Sequence, residues 1–155
     1  MTLVGFSFTK INAERKPASE QNINVESNAT VTSITELNSI DPKKTLLKFD
    51  FEFTCKYEPG VGKIVLTGEV VEIYDKDFAS QILEYWKKES KIHADVLQEV
   101  FNLVLARSNM EAIIISKDMG LPSPIQMPRI DARPVENKEP KIIPAKDSKV
   151  EQKKK

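Results

Sequence analysis

Thr45-Leu-Leu-Lys-Phe-Asp-Phe-Glu-Phe-Thr-Cys-Lys-Tyr57 alternates apolar and polar residues almost without a fault. Leu47, Phe49, Phe51, Phe53, Cys55 and Tyr57 share one side, and Lys48, Asp50, Glu52, Thr54 and Lys56 share the other. Strand side chains point to opposite faces with a period of two, so the stretch reads as an antiparallel strand with one dry face and one wet face. Three phenylalanines and a tyrosine on the dry side demand a large apolar cover. What supplies that cover decides the rest of the fold.

Beyond this strand, Glu58-Pro59-Gly60 supplies turn chemistry, with proline fixing φ and glycine accepting a positive φ. A further strand over Val61–Ile73 follows, so the two form a hairpin. Its apolar residues fall on both sides, Ile64, Leu66 and Val70 against Val65, Val71 and Ile73, which predicts cover on each face by helices and by another subunit. Upstream, Leu3–Ala13 carries Phe6 and Phe8 in one phase and Ile11 and Ala13 in the other, which predicts a bulge or a strand end near Lys10. Arg15–Gln21 reads as a loop. Asn22–Thr35 reads as a strand through Ile23, Val25, Ala29 and Val31, and Asn38–Pro42 as a turn.

Periodicity changes after Tyr74. Asp77 is placed to cap a short helix reaching about Lys88, with Phe78, Ile82, Tyr85 and Trp86 at helical spacing. Lys87–Ser90 is a polar break. A stronger helix runs from about Ile92 to Ala106 on a stripe of Val96, Leu97, Val100, Phe101, Val104 and Leu105, and Arg107-Ser108-Asn109 suits its end. Met110–Ser116 is a short apolar run that fits helix or strand. Pro122, Pro124 and Pro128 then predict an extended segment docked through Leu121, Ile125, Met127 and Ile130. Residues 131–155 are charged, bear proline and end in three lysines, which predicts a disordered tail after one domain over 1–130.

The 155 residues suit one domain of ordinary size. Formal net charge is zero, which argues against general affinity for nucleic acid or anionic lipid. From Asp131 to Lys155 eight Lys or Arg meet five Asp or Glu, so the tail carries about +3 and the body about −3. The sole cysteine, Cys55, excludes an intramolecular disulfide and a thiolate metal site within one chain, and its strand position predicts a buried small hydrophobe. No run of 18 apolar residues exists and no signal-peptide h-region opens the sequence, so no membrane insertion is expected and the cytoplasm is the expected address.

Catalytic chemistry finds little to work with. His93 is the only histidine, so it cannot build a histidine-based metal site, and a structural or surface role is expected. Cys55 lacks a nearby base to lower its pKa. Asp50, Glu52, Glu69 and Glu72 are expected to face solvent from the hairpin, with no shelter to shift a pKa for acid–base work. Asp75 and Asp77 suit capping better than metal binding. Gly60 and Gly62 belong to a turn, and the lysine-rich terminus has no aromatic interleaving for nucleic acid. No enzyme activity and no cofactor are expected.

Four antiparallel strands, a short helical connection, a long amphipathic helix and a proline-bearing tail form a recognisable order of parts. The stretch Leu97-Gln-Glu-Val-Phe-Asn-Leu-Val-Leu-Ala-Arg-Ser-Asn-Met-Glu-Ala-Ile-Ile-Ile115, followed by Leu121-Pro-Ser-Pro-Ile-Gln-Met-Pro-Arg-Ile130, resembles the C-terminal half of SecB-type export chaperones. Ile125-Gln-Met-Pro128 stands where that family has a leucine-x-leucine-x-proline element, and Phe6-Ser-Phe8 resembles its β portion. The resemblance spans about residues 4–130. It implies an α+β fold with a four-stranded antiparallel sheet and helices packed on one face, dimers that assemble into tetramers, and apolar grooves that hold unfolded chains without ATP. Two features depart from the family: the chain is neutral where members are often acidic, and its tail lacks the Cys and His of a metal-binding docking element. Both argue against coupling to the export motor and leave client holding untouched.

The expected function is therefore ATP-independent holding of unfolded polypeptide by a homo-oligomer. Apolarity and position, rather than a matched motif, nominate Phe6, Phe8, Tyr85, Trp86, Met110, Ile113, Ile115, Met119, Leu121 and Met127 for the groove. The alternative is a structural oligomer or a carrier of small apolar ligands whose apolar surface is consumed by subunit contacts.

Overall fold

A computed structural model describes residues 2–17 and 22–125. The expected tail, Met127, Ile130 and the domain boundary at 130 lie outside them. Four strands come first: β1 (Thr2–Arg15), β2 (Asn24–Leu37), β3 (Lys44–Glu58) and β4 (Gly62–Asp75). They form one antiparallel sheet in the order β1-β4-β3-β2, so β2, β3 and β4 are joined by hairpins and β1 sits against β4 at the far edge. That is a Greek-key arrangement. Two helices follow, α1 (Lys76–Glu89) and α2 (Ala94–Met119), both packed on one face. The fold is α+β, the class expected from the order of strands and helices along the chain.

The dry face of β3 is covered as its pattern demands. Leu47, Phe49, Phe51, Phe53 and Cys55 are fully buried, and their register partners on β4 include Val70, Leu66 and Ile64. Burying one such side chain contributes about 1.5–3 kcal/mol. Gly68 stands opposite Phe51 on one side and Phe8 on the other. A Cβ there would meet the Phe51 ring at 2.7 Å and the Ser7 carbonyl closer still, so only glycine lets the aromatic rings lie flat on the strand.

The bulge expected near Lys10 is present, between Phe8 and Lys10. Its effect is to return Ile11 and Ala13, paired with Leu66 and Ile64, to the face that Phe6 and Phe8 already occupy. A second break, between Val31 and Ser33, does the same for Ile34 on β2.

Two helix boundaries differ from expectation. Asp77 does not cap α1: Asp75 holds the N-cap position, makes no side-chain cap bond and pairs instead with Lys44 at 2.5 Å. The larger correction concerns α2, which continues through Arg107-Ser108-Asn109 and Met110–Ser116 for 26 residues, about 39 Å, instead of ending at Ala106. Ser108 is fully buried in the middle of the helix. The buried stripe runs Val96, Val100, Val104, Ser108, Ala112 and Ser116, a strict step of four. Each such step turns about 40° past a full circle, so the stripe winds round the helix as α2 passes across all four strands. Small side chains in the second half keep α2 close to the sheet.

The stop signal lies at Gly120. It adopts φ 65°, and the N–H groups of Gly120 and Leu121 donate to the carbonyls of Lys117 and Ser116 at 3.3 and 2.8 Å. This is a glycine-terminated helix end in which Leu121 folds back to bury its side chain. The Tyr57 hydroxyl donates to the Pro122 carbonyl at 2.8 Å, and Arg15 donates to the Met119 carbonyl at 3.2 Å. The proline segment thus docks on the hairpin end of the sheet.

Candidate functional site

α2 does not cover the whole inner face, and an apolar flank remains on each side of it. Toward β1, the rings of Phe6, Phe8 and Phe51 form a floor: Phe6 stacks on Phe51 at 5.3 Å and meets Phe8 edge-on at 5.2 Å. Phe6 and Phe8 are half-buried, and the Arg107 guanidinium lies over Phe6 at 5.7 Å. Toward β2, Phe101 and Val104 face Ala29, Val31 and Phe51 along a shallow apolar seam. Val25, Val31, Ile34 and Phe101 are half-buried there.

The outward side of α2 adds to this surface. Met110 and Ile114 are 63% and 54% exposed, with Leu103 and Ile113 half-buried beside them. Such side chains on a helix already buried along its other side form a second apolar stripe. On β1, Leu3 and Ile11 face the helical layer from the sheet edge and are also exposed.

α1 carries an aromatic train rather than a groove. Tyr74 packs on Phe78, Phe78 on His93, and His93 stacks on Tyr85 at 4.9 Å. The His93 Nε2 is buried without a hydrogen-bond partner among the described residues. Its ring joins the two helices, which fits the structural role expected of it. Trp86 is half-buried near the helix end, where Ser90 takes a left-handed φ of 52°.

The nominated residues are thus dispersed. Phe6 and Phe8 meet; Tyr85 and Trp86 lie on α1; Met110 and Ile113 lie on α2; Met119 is half-buried at the helix end. Ile115 and Leu121 lie in the core, where they pack the helix and its cap against the sheet and offer no surface as the chain stands. Met127 falls outside the described residues. Phe101, Leu103, Arg107 and Ile114 were not nominated. Their signal was present: once α2 is extended past Ala106, Leu103, Arg107, Met110 and Ile114 fall on one side at steps of four, three and four.

The outer face of the sheet contrasts with all this. Lys48 lies 3.7 Å from both Asp50 and Glu69, which stand opposite each other in register, while Ser33 donates to Asp50 at 2.6 Å. At the hairpin end Glu14, Lys63, Lys56 and Glu26 form one row across the four strands. The opposite end is apolar, through Leu37, Leu46, Val71 and Ile73, which are half-buried without helical cover, while Val65 stands between Asn12 and Thr54 nearer the hairpin end. Glu72 corrects the expectation that the hairpin carboxylates face solvent. It is buried on the inner face beside Tyr74, and burial first, then the charge of Glu99, hold its carboxyl above the ordinary range against the opposing Tyr74 hydrogen bond.

No family model matches the sequence, and no curated protein matches it. Among solved structures the chain is similar to the Rv1957 SecB-like chaperone of Mycobacterium tuberculosis, determined in complex with a ChAD peptide from the Rv1956 HigA1 antitoxin. The identity is 9%, the match covers 86% of this chain and 91% of that one, and the TM-score is 0.49.

Proposed function

We propose that this chain is a holding protein for extended or unfolded polypeptide, acting without ATP, as a homo-oligomer and without catalysis. The observation that carries the reading is the half-open apolar floor on the β1 side of α2. Phe6 and Phe8 lie there beside Arg107, and Met110 and Ile114 project from the same helix. Aromatic and methionine side chains accept varied apolar partners because they offer area and adaptable contact without demanding fixed hydrogen bonds. Each short contact is weak, and several floors on one oligomer multiply them into useful avidity. The outer edges of β1 and β2 add unpaired backbone groups that an extended client can meet.

Of the nominated residues, Phe6, Phe8, Met110 and Ile113 form the proposed binding surface, joined by Phe101, Leu103, Arg107 and Ile114. Tyr85, Trp86 and Met119 are assigned to its margins. The rival reading is a structural oligomer whose subunit contacts consume the chain's exposed apolar surface, beginning on the outer face of the sheet. It is favoured by the uncovered patch of Leu37, Leu46, Val71 and Ile73, which gives β4 the apolar outer side that its sequence predicted would need a neighbour.

The test is suppression of aggregation of a chemically unfolded substrate protein by the full chain, with oligomeric mass measured in parallel. Suppression at near-stoichiometric ratios supports holding. An oligomer that leaves aggregation unchanged and binds no apolar-surface dye supports the structural assembly.

A further inference from the structure

Arg107 sets a positive charge among apolar side chains on the β1 flank of α2. Its Cζ lies 5.7 Å from the centre of the Phe6 ring, which stacks on Phe51 and meets Phe8 edge-on. Leu103 precedes Arg107 by four residues on α2, and Met110 and Ile114 follow by three and seven. At 100° per residue all four fall within about 60° of one another round the helix. Of the two arginines among the described residues, Arg15 donates to the Met119 carbonyl. Arg107 donates to no oxygen among those residues and has no carboxylate of theirs within salt-bridge distance. Glu111 follows it by four residues, the poorer order for a helical ion pair, and the guanidinium lies on the aromatic ring instead.

A guanidinium over a ring face is held through its charge, and its five N–H donors stay available to other partners. Its planar fork matches a carboxylate, and water-excluding neighbours strengthen such a pair. A client that lays only apolar side chains on this flank covers those donors and satisfies none, which costs affinity. A client with a carboxylate at this point satisfies them.

Spacing puts that carboxylate within the bound segment. Same-side side chains of an extended chain stand about 6.6 Å apart. Along the helix axis Leu103 lies about 6 Å before Arg107, with Met110 and Ile114 about 4.5 and 10.5 Å beyond it. Apolar contact is therefore on offer to both sides of the charge, and a chain-terminal carboxylate fills only one of them. We propose that the β1 flank selects extended polypeptide segments in which an Asp or Glu has an apolar residue two positions away on each side, with Arg107 reading the carboxylate. The seam toward β2, lined by Ala29, Thr30, Val31, Phe51, Phe101 and Val104, has no charged side chain to make such a choice. The selection rests on the polypeptide-binding reading of the same flank.

The experiment titrates the full chain against short fluorescent peptides, capped at both ends, with a central Leu-Ser-X-Ser-Leu core and Glu, Gln or Lys at X. The wild type is expected to bind the Glu peptide about tenfold more tightly than the Gln peptide, a ratio that shrinks as salt is added. Whatever the absolute affinities, the ratio falls to about one in Arg107→Gln, is kept in part by Arg107→Lys, and turns in favour of the Lys peptide in Arg107→Glu. Arg107 is exposed, so these variants keep the fold. A wild-type ratio near one overturns the selection, as does a ratio retained by Arg107→Gln. In either case binding of both peptides leaves the holding reading standing. Binding of neither peptide also overturns the selection, and unchanged aggregation of the unfolded substrate protein then removes the holding reading with it. A preference seen only when the carboxylate is moved to the uncapped end of the core overturns internal placement in favour of end recognition.

Discussion

The two faces of the sheet are built from the same strands, one residue out of step, and they solve opposite problems. On the inner face Phe49, Phe51 and Phe53 are shut away beneath two helices. On the outer face Lys48, Asp50 and Glu52 stand beside them in sequence, and the first two are held in a charge network open to water. The inner face is too wide for one helix, so apolar flanks remain. The outer face disposes of its charges through neighbours and leaves only one apolar corner. Function is therefore sought where cover is incomplete, and stability where it is complete.

Substitutions break this comparison in graded steps. Phe51→Ala removes a ring from the fully buried row and should cost about 3–5 kcal/mol, whereas Glu52→Ala, next in the chain and exposed, should cost less than about 0.5 kcal/mol. Chemical denaturation of both variants measures the ratio. Gly68→Val presses a side chain into the Phe51 ring and the Ser7 carbonyl and should cost about 1–3 kcal/mol by the same method, with loss of the ring stacking that near-ultraviolet dichroism reports. Gly120→Ala forces a Cβ into left-handed backbone at the end of α2, for about 1 kcal/mol, and should raise amide exchange at Leu121 first. Lys48→Ala leaves Asp50 opposite Glu69 unshielded. Because these side chains are about one-third exposed, the loss should stay near 0.5 kcal/mol and shrink as salt is added.

Much of the sheet could be read from the chain because a period of two is a strong signal wherever one face is dry. β3 shows it over its whole length, and the phase change in β1 correctly announced a bulge. What misled was local chemistry at Arg107-Ser108-Asn109, which suits a helix end. The winding step-of-four stripe overrode it, since Ser108 is small enough to lie against the sheet while the apolar residues beyond it gain burial. The same misplaced end hid Arg107 and Ile114 from consideration. It also made Ile115 resemble surface. Leu121 reads both as a docking residue of the proline segment and as groove; Gly120 before it and Pro122 after it are the local signal that the helix ends there and the chain folds back, which favours the first reading. Glu72 was legible: it shares its phase with Ile64, Leu66 and Val70, so the alternation of β4 turns it to the dry face while Glu69 turns to the wet one, and treating the two carboxylates alike passed over that difference.

The most direct test places a charge on each uncovered apolar surface and asks which one matters to a client. Binding of a fluorescent unfolded polypeptide is titrated against the wild type, a Met110→Glu/Ile114→Glu variant on α2, and a Val71→Glu variant on the outer face. All three are first matched for secondary structure and oligomeric mass. The account predicts that the α2 variant weakens binding at least about tenfold while the outer-face variant binds like the wild type. Equal affinity for the α2 variant and the wild type, or loss confined to Val71→Glu, would contradict it.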